Sequence, residues 1–198
     1  MILTEEQLHD CIPLASDRKI VKYVGHLNDT LELFSINTSE RIAAFLAQLA
    51  HESGNLQYVE ELASGSAYEH RVDLGNLNPK AIQIAHAAGT TTGRFYKGRG
   101  LIQVTGYYNY WHCGKYLKDE GLLPEEATED YLVYNPQKLT DPRLACLSAG
   151  WFWYSRNLNA LADADNFRRI TKVINGGYTK QKERLAYYTN NKQVFGVG

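Results

Sequence analysis

Three carboxyl side chains are spaced so that they could do chemistry: Glu52, Glu60 and Glu61. Glu52 closes a segment in which Ile42, Phe45, Leu46 and Leu49 recur at helical spacing, an apolar stripe of the kind that faces a core. At 100° per residue Glu52 falls about 20° from Phe45 on that stripe. A carboxyl carried into apolar surroundings without a cationic partner resists ionisation, and the C-terminal end of a helix dipole pushes the same way. A carboxylic acid that keeps its proton near neutral pH is what a general acid requires. Glu60 and Glu61 follow Gly54, which can end the helix in a left-handed turn. A chain break between two carboxyls lets them face each other, and glycoside cleavage needs such a pair, one as acid and one as base or nucleophile. Spacing alone leaves plainer alternatives open: a Glu52 that snorkels into water or is salt-bridged, and a solvated Glu-Glu pair.

A second candidate lies downstream in Gly98-Arg99-Gly100-Leu101-Ile102-Gln103-Val104-Thr105-Gly106. Its glycines do not have dinucleotide-binding spacing, but they would let backbone approach a ligand closely. Gln103 and Thr105 alternate with Ile102 and Val104, so both could point into one groove, although a tight turn and buried edge strand read equally well. The six histidines show no paired zinc-site spacing, and no nucleophile elbow or phosphate loop is present. His51, beside Glu52, reads as a supporting residue.

The elements that must position these residues are mostly helical. Thr4 and Gln7 form a capping box. Asp17 can cap a helix running to about Phe34, and Asn37, Thr38 or Ser39 can cap the helix that carries Glu52. Asp141-Pro142 opens another, with Leu144, Leu147 and Trp151 on one face to about Tyr154. Asp165 can cap a helix through Ile174, stopped by Asn175-Gly176-Gly177, and a last one runs from about Lys180 to Val194. Residues 62–100 are punctuated by glycine, asparagine and proline and read as loop with a short helix near 80–88. Leu101 to Thr105 reads as a short strand or a helix entry. The expectation is a mainly α fold of about seven helices with little β-sheet, in one domain over 1–198.

Composition bounds the partners. The chain has 198 residues, is 44% hydrophobic and carries a formal net charge of −1, so nothing favours general attraction to nucleic acid or anionic membranes. No stretch approaches a membrane-spanning length. Fourteen tyrosines offer flat faces with polar tips that suit sugars, though most should serve the core. Cys11, Cys113 and Cys146 are odd in number and widely spaced, which argues against a disulfide framework and for buried thiols from a reducing compartment. The first residues lack the basic and apolar pattern of a secretory leader.

The segments, taken in order, resemble glycoside hydrolase family 19, which includes chitinases and phage endolysins. The likeness rests on Ala44 to Gly54 with its His51-Glu52-Ser53-Gly54, on Tyr58 to Leu62, and on Tyr96 to Gly106 continuing to Asn109-Tyr110. It continues through Ala149-Gly150-Trp151-Phe152-Trp153, Ile170-Thr171, Ile174 to Gly177, and Arg184 before Tyr187-Tyr188. That resemblance implies a lysozyme-like α+β fold with two lobes around a cleft and an inverting mechanism without a cofactor. Glu52 matches the general acid, Glu61 the general base with Glu60 as fallback, and Thr105 a residue that helps hold the attacking water. Gln103, Asn109, Tyr96, Asn175 and Arg184 match positions that line the sugar groove or support the two carboxyls. Inversion leaves room for a water, so the carboxyls are expected roughly 6.5–9.5 Å apart. Two departures stand beside the groove: residues 78–93 are longer than the loop expected there, and Tyr107 replaces an Arg frequent in endolysins.

The absence of a leader, of a disulfide pattern and of an appended wall-binding module favours an endolysin acting on peptidoglycan over a chitinase acting on chitin. A non-catalytic wall-binding protein is the reading from another class. On the endolysin reading the protein is a monomer made in a host cytoplasm. It needs a separate holin-type pore to reach the periplasmic wall of a Gram-negative cell.

Overall fold

A computed structural model describes residues 2–197. Among the described residues eleven α-helices follow one another: α1 (Glu5–Cys11), α2 (Asp17–Leu33), α3 (Ser39–Glu52), α4 (Pro79–Ala87), α5 (Thr92–Phe95), α6 (Tyr107–Asp119), α7 (Tyr131–Tyr134), α8 (Pro142–Ser155), α9 (Leu158–Asp163), α10 (Phe167–Asn175) and α11 (Gln181–Val194). Among the described residues, β-structure is limited to two isolated antiparallel bridges, Glu60 with Arg99 and Arg99 with Val104. The mainly α, lysozyme-like expectation holds, with more helices than the seven read from periodicity. The chain divides into two compact units, Met1–Tyr58 with Ala149–Gly198, and Val59–Ser148.

The first unit is built on α3. Thr38 caps it by accepting from the Arg41 amide, and every side chain from Ile42 to Ala50 is buried. The amphipathic stripe expected here is therefore a helix buried all round, and its Ala43, Ala44, Ala47 and Ala50 let neighbours pack closely. Helix α11 lies along it. Trp153 of α8 meets Phe45 edge to face with ring centroids 5.3 Å apart, and the burial of either ring stabilises by roughly 1.5–3 kcal/mol. Gly150 lets α8 approach α2, since a Cβ there would sit 2.2 Å from the Phe34 ring. The Thr4–Gln7 capping box of α1 forms as read. Two caps differ: Ser16, not Asp17, precedes α2, and Asn166 caps α10 through the Arg169 amide, because Asp165 is left-handed and turns its carboxylate to the Tyr188 hydroxyl.

The second unit packs α6 against α7 around Tyr96, Tyr107 and Tyr110, whose rings lie 5.6 Å from one another about Tyr96. Helix α6 escaped the sequence reading because its buried face is Tyr107, Tyr110, Cys113, Gly114 and Leu117, too rich in tyrosine and glycine to read as an apolar stripe. Asn78 caps α4 at the Lys80 amide with Pro79 in the first turn, so residues 78–93 hold a real helix rather than a loose insertion. Asp141 accepts from the Arg143 and Leu144 amides and opens α8 as expected. Leu101 to Gln103 form turns rather than a strand, and only Val104 pairs. No disulfide forms among the described residues; Cys11, Cys113 and Cys146 are all buried. No described helix is long and apolar enough to cross a membrane.

Candidate active site

Glu52 is the last residue of α3, and the side chain keeps 21% exposure. Its Oε1 is gripped by Arg184 of α11 at 2.5 Å. This is the salt-bridged alternative rather than the carboxyl without a cationic partner. Arg184 is itself 1% exposed, and the same Nη1 donates to Gln48 Oε1 at 2.6 Å while Nε donates to the Thr179 carbonyl at 3.3 Å. Gln48 in turn donates to Thr171 Oγ1 at 2.8 Å. A buried guanidinium must be matched by acceptors, and this chain of bonds supplies them. The result fixes one carboxyl oxygen, and Oε2 carries no hydrogen bond or ion pair to any described residue. The His51 side chain is engaged elsewhere than at the Glu52 carboxyl: its Nδ1 lies 3.1 Å from Glu183 Oε1.

After Glu52 the chain reverses through three successive left-handed residues, Gly54, Asn55 and Leu56, at φ of 56°, 61° and 63°. Leu56 is fully buried and Asn55 accepts from the Tyr187 hydroxyl at 2.7 Å, so packing holds a conformation that costs on the order of 1–3 kcal/mol per non-glycine residue. Ser53 pins the turn by donating to the Leu49 carbonyl and accepting from the Leu56 amide. Gly54 is required here, because a Cβ would lie 2.8 Å from the Tyr58 ring.

In the second unit, Glu60 and Glu61 sit on extended backbone paired with residues 98–100: the Glu61 amide donates to the Gly98 carbonyl and the Gly100 amide to the Val59 carbonyl, both at 2.9 Å. Adjacent side chains on extended backbone take opposite sides. Glu60 meets Lys97 Nζ at 2.5 Å and Arg99 Nε at 3.1 Å. Burial works to raise its pKa, but the Lys97 hydrogen bond and the Arg99 charge outweigh it and hold the carboxyl below its ordinary value. Glu61 has only neutral partners for its carboxyl: the Tyr68 hydroxyl at 3.0 Å and the Gly98 amide at 3.2 Å. Burial, then the Glu61 charge and hydrogen bond, raise the Tyr68 pKa, so Tyr68 stays an O–H donor. Asn76, fully buried, donates to the Tyr68 carbonyl at 2.8 Å and accepts from the Tyr107 amide at 3.1 Å, tying the Glu61 donor to the start of α6.

The other residues expected at a sugar-binding surface divide. Gln103 lies against Gly98, where a Cβ would come 2.5 Å from its Oε1, so the glycine makes room for this side chain rather than for a ligand. Thr105 is half-buried; its carbonyl accepts from Asn109 Nδ2 at 2.7 Å, which commits that amide to the backbone. Asn175 is exposed in the last turn of α10, before the left-handed Gly176. Tyr96 does not line a surface: it is fully buried and spends its hydroxyl on the Val133 carbonyl. Tyr107, at 6% exposure, is likewise a core residue. Sequence reasoning missed Gln48, Thr171, Tyr68, Asn76 and Lys97. Gln48 alone left a signal, a polar residue one turn before Glu52 on an apolar helix.

Each unit thus holds one carboxyl fixed by dedicated donors, Glu52 by Arg184 in the first and Glu61 by Tyr68 and the Gly98 amide in the second. The family model described as chitinase class I, glycoside hydrolase family 19, matches residues 34–197, and the chain belongs to that family. It is similar to an endochitinase of Arabidopsis thaliana, 34% identical over 163 residues that cover 79% of this chain and 48% of that protein. It is also similar to an acidic endochitinase of Beta vulgaris, 31% identical over 173 residues covering 82% and 52%. The chain thus spans about half the length of the curated relatives it matches. Its fold is shared with a bacterial family 19 chitinase (TM-score 0.75, 22% identity, 100% of this chain and 97% of that one). The same holds for chitinase C from Streptomyces griseus (TM-score 0.72, 24% identity, 99% and 77%).

Proposed function

We propose that the protein hydrolyses β-1,4 bonds in chitin-type polymers of N-acetylated amino sugars, by inversion, with Glu52 as proton donor and Glu61 as base. The observation that carries this reading is Glu52 itself, a carboxyl at the end of a helix buried from Ile42 to Ala50, held through Oε1 by a buried guanidinium with Oε2 left to a ligand. Oε2 delivers the proton to the departing glycosidic oxygen. Glu61, oriented by neutral donors, accepts a proton from the attacking water, and the Thr105 hydroxyl helps to hold that water. Glu60 takes no part, because its charge is committed to Lys97 and Arg99. Support for chitin comes from the relatives, whose names are those of chitinases. Peptidoglycan, favoured by the sequence argument, has the same β-1,4 amino-sugar backbone and is the alternative substrate.

The test is to incubate the protein with N-acetylglucosamine hexamer and, separately, with purified peptidoglycan. Products are followed by mass and by the anomeric proton signals. Newly formed α-anomer from the hexamer, abolished in Glu52→Gln, is the expected result. Cleavage of peptidoglycan alone moves the substrate to the wall polymer, and retention of β-anomer overturns inversion.

A further inference from the structure

Helix α10 and the loop after it carry a charge pattern that the proposed chemistry does not use. From Asn166 to Lys182 there are five cations, Arg168, Arg169, Lys172, Lys180 and Lys182, and no carboxylate. The acidic residues flanking this stretch are engaged elsewhere: Asp163 with Arg41, Asp165 with Lys192 and the Tyr188 hydroxyl, and Glu183 with His51 and Lys180. Arg168 and Lys172 are one turn apart on the same exposed face, and neither makes an ion pair or hydrogen bond with a described residue. Both converge on Tyr178, 43% exposed, whose ring centroid lies 4.6 Å from the Arg168 guanidinium carbon and 5.9 Å from Lys172 Nζ.

A guanidinium resting on an aromatic ring is held still while its N–H fork stays open, which suits a carboxylate. The cluster is also joined to the Glu52 machinery within its own unit. Tyr178 precedes Thr179, whose carbonyl accepts from Arg184, and Arg184 holds Glu52. A neutral chitin strand offers these two cations hydroxyl and acetamide oxygens but no counter-charge. We propose that Arg168, Lys172 and Tyr178 form a specificity subsite for carboxylate substituents on an amino-sugar strand, the stem-peptide carboxylates of peptidoglycan being the natural source. Tyr178 offers its edge to the sugar and Arg168 and Lys172 take the acid. This rests on the glycoside-hydrolase reading above and, within it, favours the alternative substrate, peptidoglycan, over neutral chitin.

The experiment is affinity electrophoresis of the whole protein in native gels holding glycol chitin (neutral), carboxymethyl chitin (the same backbone with carboxylates) or carboxymethyl cellulose (carboxylates without the amino sugar). Wild type is expected to be retarded more by carboxymethyl chitin than by either other polymer. In Arg168→Gln/Lys172→Gln the extra retardation falls about five- to tenfold, the size of two surface charge pairs. High salt does the same, while glycol chitin retardation is unchanged. Tyr178→Leu loses part of the same preference, since Arg168 is no longer held in place. Equal retardation of wild type and the double variant on carboxymethyl chitin overturns the subsite. Carboxymethyl cellulose holding wild type as strongly as carboxymethyl chitin also overturns it, because charge alone is then being read. Retardation is read without turnover, so an enzyme inactive on the hexamer removes the proposed activity and leaves this result standing or falling by itself.

Discussion

Replacing Arg184 by Met keeps most of the buried volume and removes only the guanidinium that joins Glu52 to Gln48. Three acceptors lose their donor: Glu52 Oε1 at 2.5 Å, Gln48 Oε1 at 2.6 Å and, at the longer 3.3 Å, the Thr179 carbonyl. A stranded buried amide oxygen costs about 1–3 kcal/mol. Breaking a buried ion pair costs about 3–5 kcal/mol when the remaining charge stays buried. Glu52 keeps 21% exposure and can turn to water, so its share belongs well below that range. A total of about 2–4 kcal/mol follows, and at about 2–4 °C per kcal/mol for a chain of this size Tm should drop by roughly 5–15 °C. The same turn of Glu52 toward water moves Oε2, and a misplacement near 1 Å costs on the order of a hundredfold in rate. Arg184→Lys restores a charge but not the fork, so it should recover part of the Tm and little of the activity. The assays are thermal unfolding and initial hexamer hydrolysis at a temperature where all three proteins are folded. A Met variant with lowered Tm and wild-type kcat would refute the positioning argument and leave Arg184 a packing residue.

The other expectations concern the second unit. Glu61→Gln should abolish turnover with little change in Tm, whereas Glu60→Gln should keep activity within a few-fold and lower stability by about 1–2 kcal/mol, because the buried Arg99 loses its partner. The Glu60 pKa is lowered in the folded protein, so its contribution is present above the unfolded carboxyl value and is lost as pH falls; denaturant unfolding of wild type and Glu60→Gln should therefore converge as pH falls below the ordinary carboxyl value of 4.5. Tyr68→Phe deletes one of the two donors to the Glu61 carboxyl and should lower kcat by about ten- to a hundredfold without a matching rise in KM, read from full rate curves. Gly98→Ala forces a Cβ to 2.5 Å from Gln103 Oε1, and the displaced amide should appear as lost hexamer affinity with a Tm loss under 5 °C.

What was legible in the sequence depended on how local its cause is. Helix α3 could be read with its cap and its stop, because Thr38, the apolar repeat and Gly54 all act within a turn or two of themselves. Glu52 could be picked out for the same reason. Its partner could not be found by periodicity: Arg184 lies 132 positions away on α11, and only the family resemblance placed it near the carboxyls. That missing cation is why a buried, unpaired acid was expected where the structure has a half-buried ion pair. Tyr96 failed in the opposite direction, since its place in a motif suggested contact with sugar while its ring and hydroxyl are consumed by the second unit's core. Helix α6 was missed because tyrosine is ambiguous in an apolar count, core on one face and solvent on the other, as buried Tyr107 and exposed Tyr108 show side by side.

The adjacent pair Glu60 and Glu61 shows how neighbours in sequence come to different duties. Extended backbone sends their side chains to opposite sides, so they cannot share donors. The side that receives Glu60 holds Lys97 and the nearly buried Arg99, whose remaining contacts are the Phe95 carbonyl and the Tyr110 hydroxyl. Both Glu60 oxygens face cations, Oε1 Lys97 and Oε2 Arg99, so a proton has no open oxygen to settle on, unlike at Glu52, where Arg184 holds Oε1 and Oε2 is open. The side that receives Glu61 holds a hydroxyl and an amide, which orient a carboxylate and carry no formal charge to be stranded when a proton arrives. A base must accept a proton and return it in every turnover, and of the two only Glu61 can do so without dismantling an ion pair. The choice between them, open on spacing alone, follows from which side of one extended residue the cations occupy.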